Sequence, residues 1–176
     1  MLVTLVSTTT LFSDEIFVEG GYNYLNGKAT SYVNTANDNT SGLSAAVGYH
    51  FTNSDIRTYI DYTSFSWTDA NANFIAANVE YLKAIGNSDA SYYVGAGVGM
   101  LAYEVDSIND SFSGVAYTAK AGLAYNILAG LYMKAGLKYI NTNSAQIKDD
   151  AYNYSQLQNM LGGEIVLGYS FGRSKI

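Results

Sequence analysis

Glu19, Asp61, Glu80 and Glu164, with Arg57, Lys120, Lys134 and Lys138, stand in stretches that are otherwise apolar or small. Charges in such company either do chemistry or neutralise one another. Paired carboxylates suggest hydrolysis, which needs a positioned acid and base. The chain has one histidine, His50, beside the Thr52–Asn53 turn. A single imidazole at that place reads as an interfacial polar residue rather than a general base. Gly95-Ala96-Gly97-Val98-Gly99 resembles a phosphate-cradling loop. Such a loop must open a helix whose N-terminus holds the phosphate, and here a two-residue alternation continues through Met100 and Ala102. Cysteine is absent, which excludes disulfides, thiolate metal sites and a thiol nucleophile. Asp38, Asp69, Glu104, Asp106, Asp110, Asp149 and Asp150 lie in polar stretches without the spacing of a calcium loop. No catalytic residue, metal or cofactor is assigned.

The elements that must position the eight charges have a period of two, the period of a strand. Eight segments show it: Glu15 to Leu25, Gly42 to Phe51, Ile56 to Ser66, Asn73 to Leu82, Tyr92 to Tyr103, Ser113 to Tyr125, Leu131 to Tyr139 and Met160 to Phe171. In each, one face carries large aliphatics and tyrosines, such as Ile56, Ile60 and Tyr62 in the third. The other face carries Gly, Ala, Ser, Asn and isolated charges, such as Arg57 and Asp61. All eight charges fall on this second face. Tyr22, Tyr24, Tyr49, Tyr62, Tyr81, Tyr92, Tyr125, Tyr139, Tyr169 and Phe171 cluster toward strand ends, as aromatic girdles do at the two water boundaries of a membrane.

A soluble barrel would turn the large aliphatics inward. Doing so here would leave glycine outside, and the opposite choice for a soluble fold would bury ions in a core of glycine. Lipid on the aliphatic face resolves the conflict. Hydrocarbon requires every backbone group to be paired, which for a sheet means closure. The composition agrees: charged residues are 14 %, tyrosines number 17 and proline is absent. No apolar run approaches the roughly 20 residues of a spanning helix. The formal net charge of −6 provides no basic patch for nucleic acid. Connections near Thr52–Ser54, Gly86–Asp89 and Asn126–Gly130 are short. Those at Asn26–Ser41, Trp67–Ala72, Glu104–Phe112 and Asn141–Asn159 are longer and more polar. The expected fold is therefore all-β, an eight-stranded antiparallel up-and-down transmembrane β-barrel, with short turns toward the periplasm and long loops outside. An eight-stranded interior is just wide enough to be filled by side chains. The four acids and four bases are expected to form a charge network that plugs it, with Lys138 pairing with Glu164 on the neighbouring strand. A narrow ion path lined by the same charges is the functional alternative.

Gly163, Ile165, Leu167, Tyr169 and Phe171 alternate toward an aromatic near the end of the chain. They resemble the C-terminal β-signal of outer-membrane barrels, and residues 14–171 resemble the small barrel superfamily of OmpA-type and OmpX-type domains. The resemblance implies a bacterial outer-membrane protein with both termini periplasmic. It also implies the outer-membrane assembly machinery, membrane lipid and lipopolysaccharide as partners, and a monomer. Relatives of this type have interior networks, and some barrels of this size are enzymes acting on lipid A through Ser and His near the outer rim. His50 is expected at the opposite rim, so the chain is read as a non-enzyme. Residues 1–13 read as an export signal lacking its positively charged start, and residues 172–176 as a C-terminal tail. The expected role is envelope structure and surface interaction. Rival readings are a small-solute porin and an adhesin acting through its outer loops.

Overall fold

The computed structural model describes residues 15–31, 35–51, 54–66, 70–105, 110–149 and 153–171. The segments read as a signal and as a tail lie outside the described residues, as do Asp69, Asp106 and Asp150 among the polar-stretch acids.

Eight strands follow one another around a closed barrel: β1 Glu15–Ser31, β2 Thr35–Phe51, β3 Ile56–Ser66, β4 Ala70–Ala84, β5 Ala90–Val105, β6 Asp110–Leu128, β7 Leu131–Asp149 and β8 Asn153–Phe171. Every neighbouring pair is antiparallel, and β8 closes the ring on β1 with Ile16 opposite Phe171 and Tyr22 opposite Ile165. Closure removes the free edges that any open sheet presents. No proline removes a ladder donor, and the register shifts at Lys28/Ala29, Asn126/Leu128 and Asn141/Ala145.

The alternation read in the sequence is the alternation of burial. On β3, Ile56, Ile60 and Tyr62 face out, while Arg57, Tyr59, Asp61, Thr63 and Phe65 are buried. Leu43 at 71 % exposure and Leu137 at 62 % typify an outer surface of large apolar side chains. In water such a surface would be an aggregation liability; against lipid tails it is solvated.

The short connections lie where expected. Ser54 donates its backbone N–H to the Phe51 carbonyl at 3.0 Å, and Asp55 takes a positive φ of 54°. Asp is among the few non-glycine residues that tolerate this region. The β6–β7 turn uses Gly130 at φ 80°.

The strands at the other end are longer than the sequence pattern suggests. Of the stretch expected as a loop at Asn26–Ser41, residues 26–31 and 35–41 extend β1 and β2 as paired strands in which Thr30 faces Thr35. Of Asn141–Asn159, residues 141–149 and 153–159 likewise extend β7 and β8, with Asp149 facing Asn153. The sequence alternation that marks a half-buried strand is absent there while the backbone pairing continues. The longest extensions belong to β7, β8, β1 and β2. The outer ends of β3 and β4 stop sooner, with Ser66 opposite Asn71.

Candidate functional site in the lumen

All eight charged residues singled out in the sequence line the lumen, each at most 9 % exposed. They fall into two clusters stacked along the barrel axis. The cluster nearer the short turns is built around Arg57. Its guanidinium donates to Glu19 Oε1 at 2.9 Å and to Glu80 Oε1 at 3.2 Å. Arg57 and Glu80 are direct cross-strand neighbours on β3 and β4. Lys134 donates to Glu80 Oε2 at 2.7 Å and lies 3.4 Å from Glu19 Oε1. Two cations and two carboxylates thus alternate around a ring, so each charge has two partners. Buried ions persist only when paired and hydrogen-bonded, and this ring meets both conditions.

Aromatic residues fill the space around the ring. Phe17 lies under the Arg57 guanidinium at 3.6 Å from its ring centroid. The Tyr132 hydroxyl donates to Glu19 Oε1 at 2.8 Å and accepts from Arg57 Nη2. Tyr59 donates to Glu80 Oε2 at 3.2 Å. Tyr93 puts its ring 4.5 Å from Lys134 Nζ. The strand parity that turns Tyr92 outward turns Tyr93 inward, and the same rule applies to Tyr132 beside Met133. Strand parity is the sequence signal that places these two in the lumen.

The second cluster gathers on Asp61. Lys120 Nζ lies 2.6 Å from Asp61 Oδ2, and Lys138 Nζ lies 3.6 Å from the same oxygen. Asn78 donates to Asp61 Oδ1 at 3.2 Å, and Lys138 donates to Thr63 Oγ1 at 3.1 Å. Lys120 and Lys138 are directly opposite on β6 and β7. Like charges so placed repel, and the shared Asp61 carboxylate offsets the repulsion. The expected pairing of Lys138 with Glu164 gives way to this arrangement. Lys138 is opposite Gly162, and Glu164 is opposite Gly136. Lys138 turns across the lumen to Asp61, and Glu164 accepts from the Tyr93 hydroxyl at 3.0 Å.

His50 lies at the short-turn rim and is 9 % exposed. Its Nδ1 is 4.0 Å from Glu15 Oε2, which accepts from Ser170 Oγ at 2.7 Å. The carboxylate sits between serine and histidine, so the imidazole does not receive the Ser170 proton as a nucleophile-activating base would. Among the described residues no group of three or more His, Cys, Asp or Glu could hold a metal ion. Gly95, Gly97 and Gly99 are strand residues, and a Cβ at Gly97 would meet Asn78 Oδ1. Gly163, Ile165, Leu167, Tyr169 and Phe171 all lie on the outer face of β8, with Tyr169 and Phe171 stacked edge to face at 5.0 Å.

Above the two clusters, toward the long hairpins, the lumen is apolar. Leu25, Phe65, Phe74, Leu101, Ile140 and Met160 pack together with no more than 1 % exposure. Within the clusters there remains a void of about 10 Å³ lined by Glu19, Asp61, Lys120, Lys134 and Glu164. A void of that size admits about one water molecule.

Among solved structures, the crystal structure of Neisserial surface protein A (NspA) superposes with a TM-score of 0.64 at 19 % identity, covering 89 % of this chain and 96 % of that one. The fold is that of a small eight-stranded barrel. The N-terminal β-barrel domain of Pseudomonas aeruginosa OprF aligns with a TM-score of 0.57 at 14 % identity, over 87 % of this chain and 97 % of that one. Outer membrane protein H (OprH) of P. aeruginosa, determined in DHPC micelles, aligns at 0.52 and 20 % identity, over 89 % and 99 %. No protein-family model and no curated protein sequence matches the chain. The small barrels share strand number and closure with this protein.

Proposed function

We propose that this protein is an integral barrel of a bacterial outer membrane, sealed along its axis, that holds its long hairpins above the surface for structural and surface-interaction roles. The observation that carries the sealed reading is the lumen: charged rings, aromatic fillers and an apolar layer occupy it, and the void among the charges has room for about one water. The membrane reading is supported by the apolar outer face and by the barrels it resembles, which include outer membrane protein H and a neisserial surface protein. On this reading both termini and the short turns are periplasmic. Outer-membrane lipid and lipopolysaccharide are the lateral and outer partners, and the assembly machinery reads Gly163, Ile165, Leu167, Tyr169 and Phe171 on β8. A continuous lipid-facing belt suits a monomer.

Reconstitution into lipid vesicles tests this. Protease added outside should trim the extended hairpins in the molecules that face outward and leave the eight-strand core intact. Single-channel recording of the folded protein should be silent. A fully digested chain would sink the membrane reading, and stable conductance steps would favour a porin. The extended β7–β8 and β1–β2 hairpins favour an adhesive role as the second reading. Trimming them should then abolish surface binding while the barrel stays folded.

A further inference from the structure

The lumen contains two media. From the short turns upward, β3 presents Arg57, Tyr59, Asp61, Thr63 and then Phe65. β7 presents Tyr132, Lys134 and Lys138 before Ile140, and β8 presents Glu164 before Met160. The change from polar to apolar occurs at a similar height on each of these strands.

A second observation concerns the polar section below that change. Among the described residues, four buried polar atoms have no hydrogen-bond partner: Asn23 Oδ1, Asn78 Oδ1 and Thr118 Oγ1 near the apolar layer, and Ser91 Oγ near the short turns. All four lie on the short-turn side of the apolar layer; Asn23 precedes Leu25 on β1, and Thr118 lies one inward step below Ala116 on β6. Buried polar atoms are normally satisfied, by ordered water where protein groups do not reach. The charged section therefore calls for water. The section above it is walled mainly by hydrocarbon, with the buried Thr40 opposite Leu25 donating its hydroxyl to the Ser66 carbonyl, and apolar constrictions in narrow pores stay dry and block ions by excluding their hydration shells.

We propose that the apolar layer of Leu25, Phe65, Phe74, Leu101, Ile140 and Met160, and not the charge network beneath it, is the barrier that keeps this barrel from conducting. This rests on the reading of the barrel as membrane-spanning and sealed. The charged section beneath the layer is tightly filled, with a void of about 10 Å³ among its ions.

Planar-bilayer recording on three refolded proteins tests it. The unaltered protein should be silent. A charge-balanced variant of the lower ring, Glu80→Gln with Lys134→Gln, should also be silent, because the dry layer is untouched. Phe65→Ser with Phe74→Ser places hydroxyls in the dry layer and frees volume, and should produce discrete conductance steps where the parent shows none. Silence of that folded variant overturns the proposal, as do steps from the charge variant. Should the phenylalanine pair fail to fold, Leu101→Thr with Ile140→Thr carries the same test with smaller changes in volume. Conductance in the unaltered protein would count against the sealed reading instead. In that event the proposed location of the constriction stands only if the apolar-layer variant raises conductance and the charge variant leaves it unchanged.

Discussion

Among the described residues, Asp61 is the single carboxylate within ion-pair distance of two lysines, Lys120 at 2.6 Å and Lys138 at 3.6 Å. The two ends of this triad are therefore unequal. Lys138→Met removes one cation and leaves Asp61 still held by Lys120 and Asn78, so its cost should be small. Asp61→Asn leaves two buried ammonium groups facing each other across β6 and β7, and breaking a buried pair in this way typically costs about 3–5 kcal/mol. Denaturant titration of the two refolded variants compares them. Equal losses would contradict the assignment of Asp61 as the shared counter-ion. The charges themselves were legible from the sequence, because parity alone decides which side chains enter the lumen. Their partners were not. Pairing across a lumen depends on strand tilt and side-chain reach, and a register argument restricted to neighbouring strands directed Lys138 to Glu164 rather than to Asp61.

Inward-facing glycines leave room for the large side chains that fill the lumen. Gly168 on β8 lies against the Tyr132 ring, and a Cβ added there would come within 2.3 Å of ring atom Cζ. The ring cannot retreat freely, because its hydroxyl bonds both Glu19 and Arg57. Gly168→Ala should accordingly cost about 1–3 kcal/mol, the usual penalty for overpacking, and should loosen the lower ring with it. Gly20 is the internal control. It faces outward, a Cβ there would meet nothing within 4 Å, and Gly20→Ala should be neutral or stabilising by about 0.5–1 kcal/mol through the backbone entropy that glycine otherwise loses. Thermal unfolding in one detergent ranks the two, and an equal effect would show that Gly168 has no cradle role. At this scale the sequence was legible wherever one face of the strand is apolar and the other lines the lumen. The order, the parity and the short turns follow from alternation. The outer strand ends do not, since Asn26–Ser31 and Thr35–Ser41 pair through backbone while their polar side chains carry no period.

The closed ring treats its strands alike. β8 pairs with β1 as any two neighbours pair, from Ile16 opposite Phe171 to Ser31 opposite Ser155. Residues 15 and 171 therefore end side by side at the short-turn rim. A circular permutant joining 171 to 15 by a short linker, with new termini in the Ala129–Gly130 turn, converts that seam into one more hairpin. It opens a turn of the kind that tolerates new termini. Every ladder, both charge clusters and the apolar layer are preserved, so the permutant should refold in detergent with the stability of the parent. Its last strand is now β6, whose closing residues Leu123, Tyr125, Ile127 and Leu128 lack the Tyr169–Phe171 ending of β8. If the assembly machinery reads β8 as the C-terminal strand, the same permutant should fail to reach the outer membrane in cells. The two assays separate what closure requires from what recognition requires. Refolding without cellular assembly assigns Gly163 to Phe171 a role beyond the fold. Assembly at the parental level would remove that role and leave β8 a strand like the other seven.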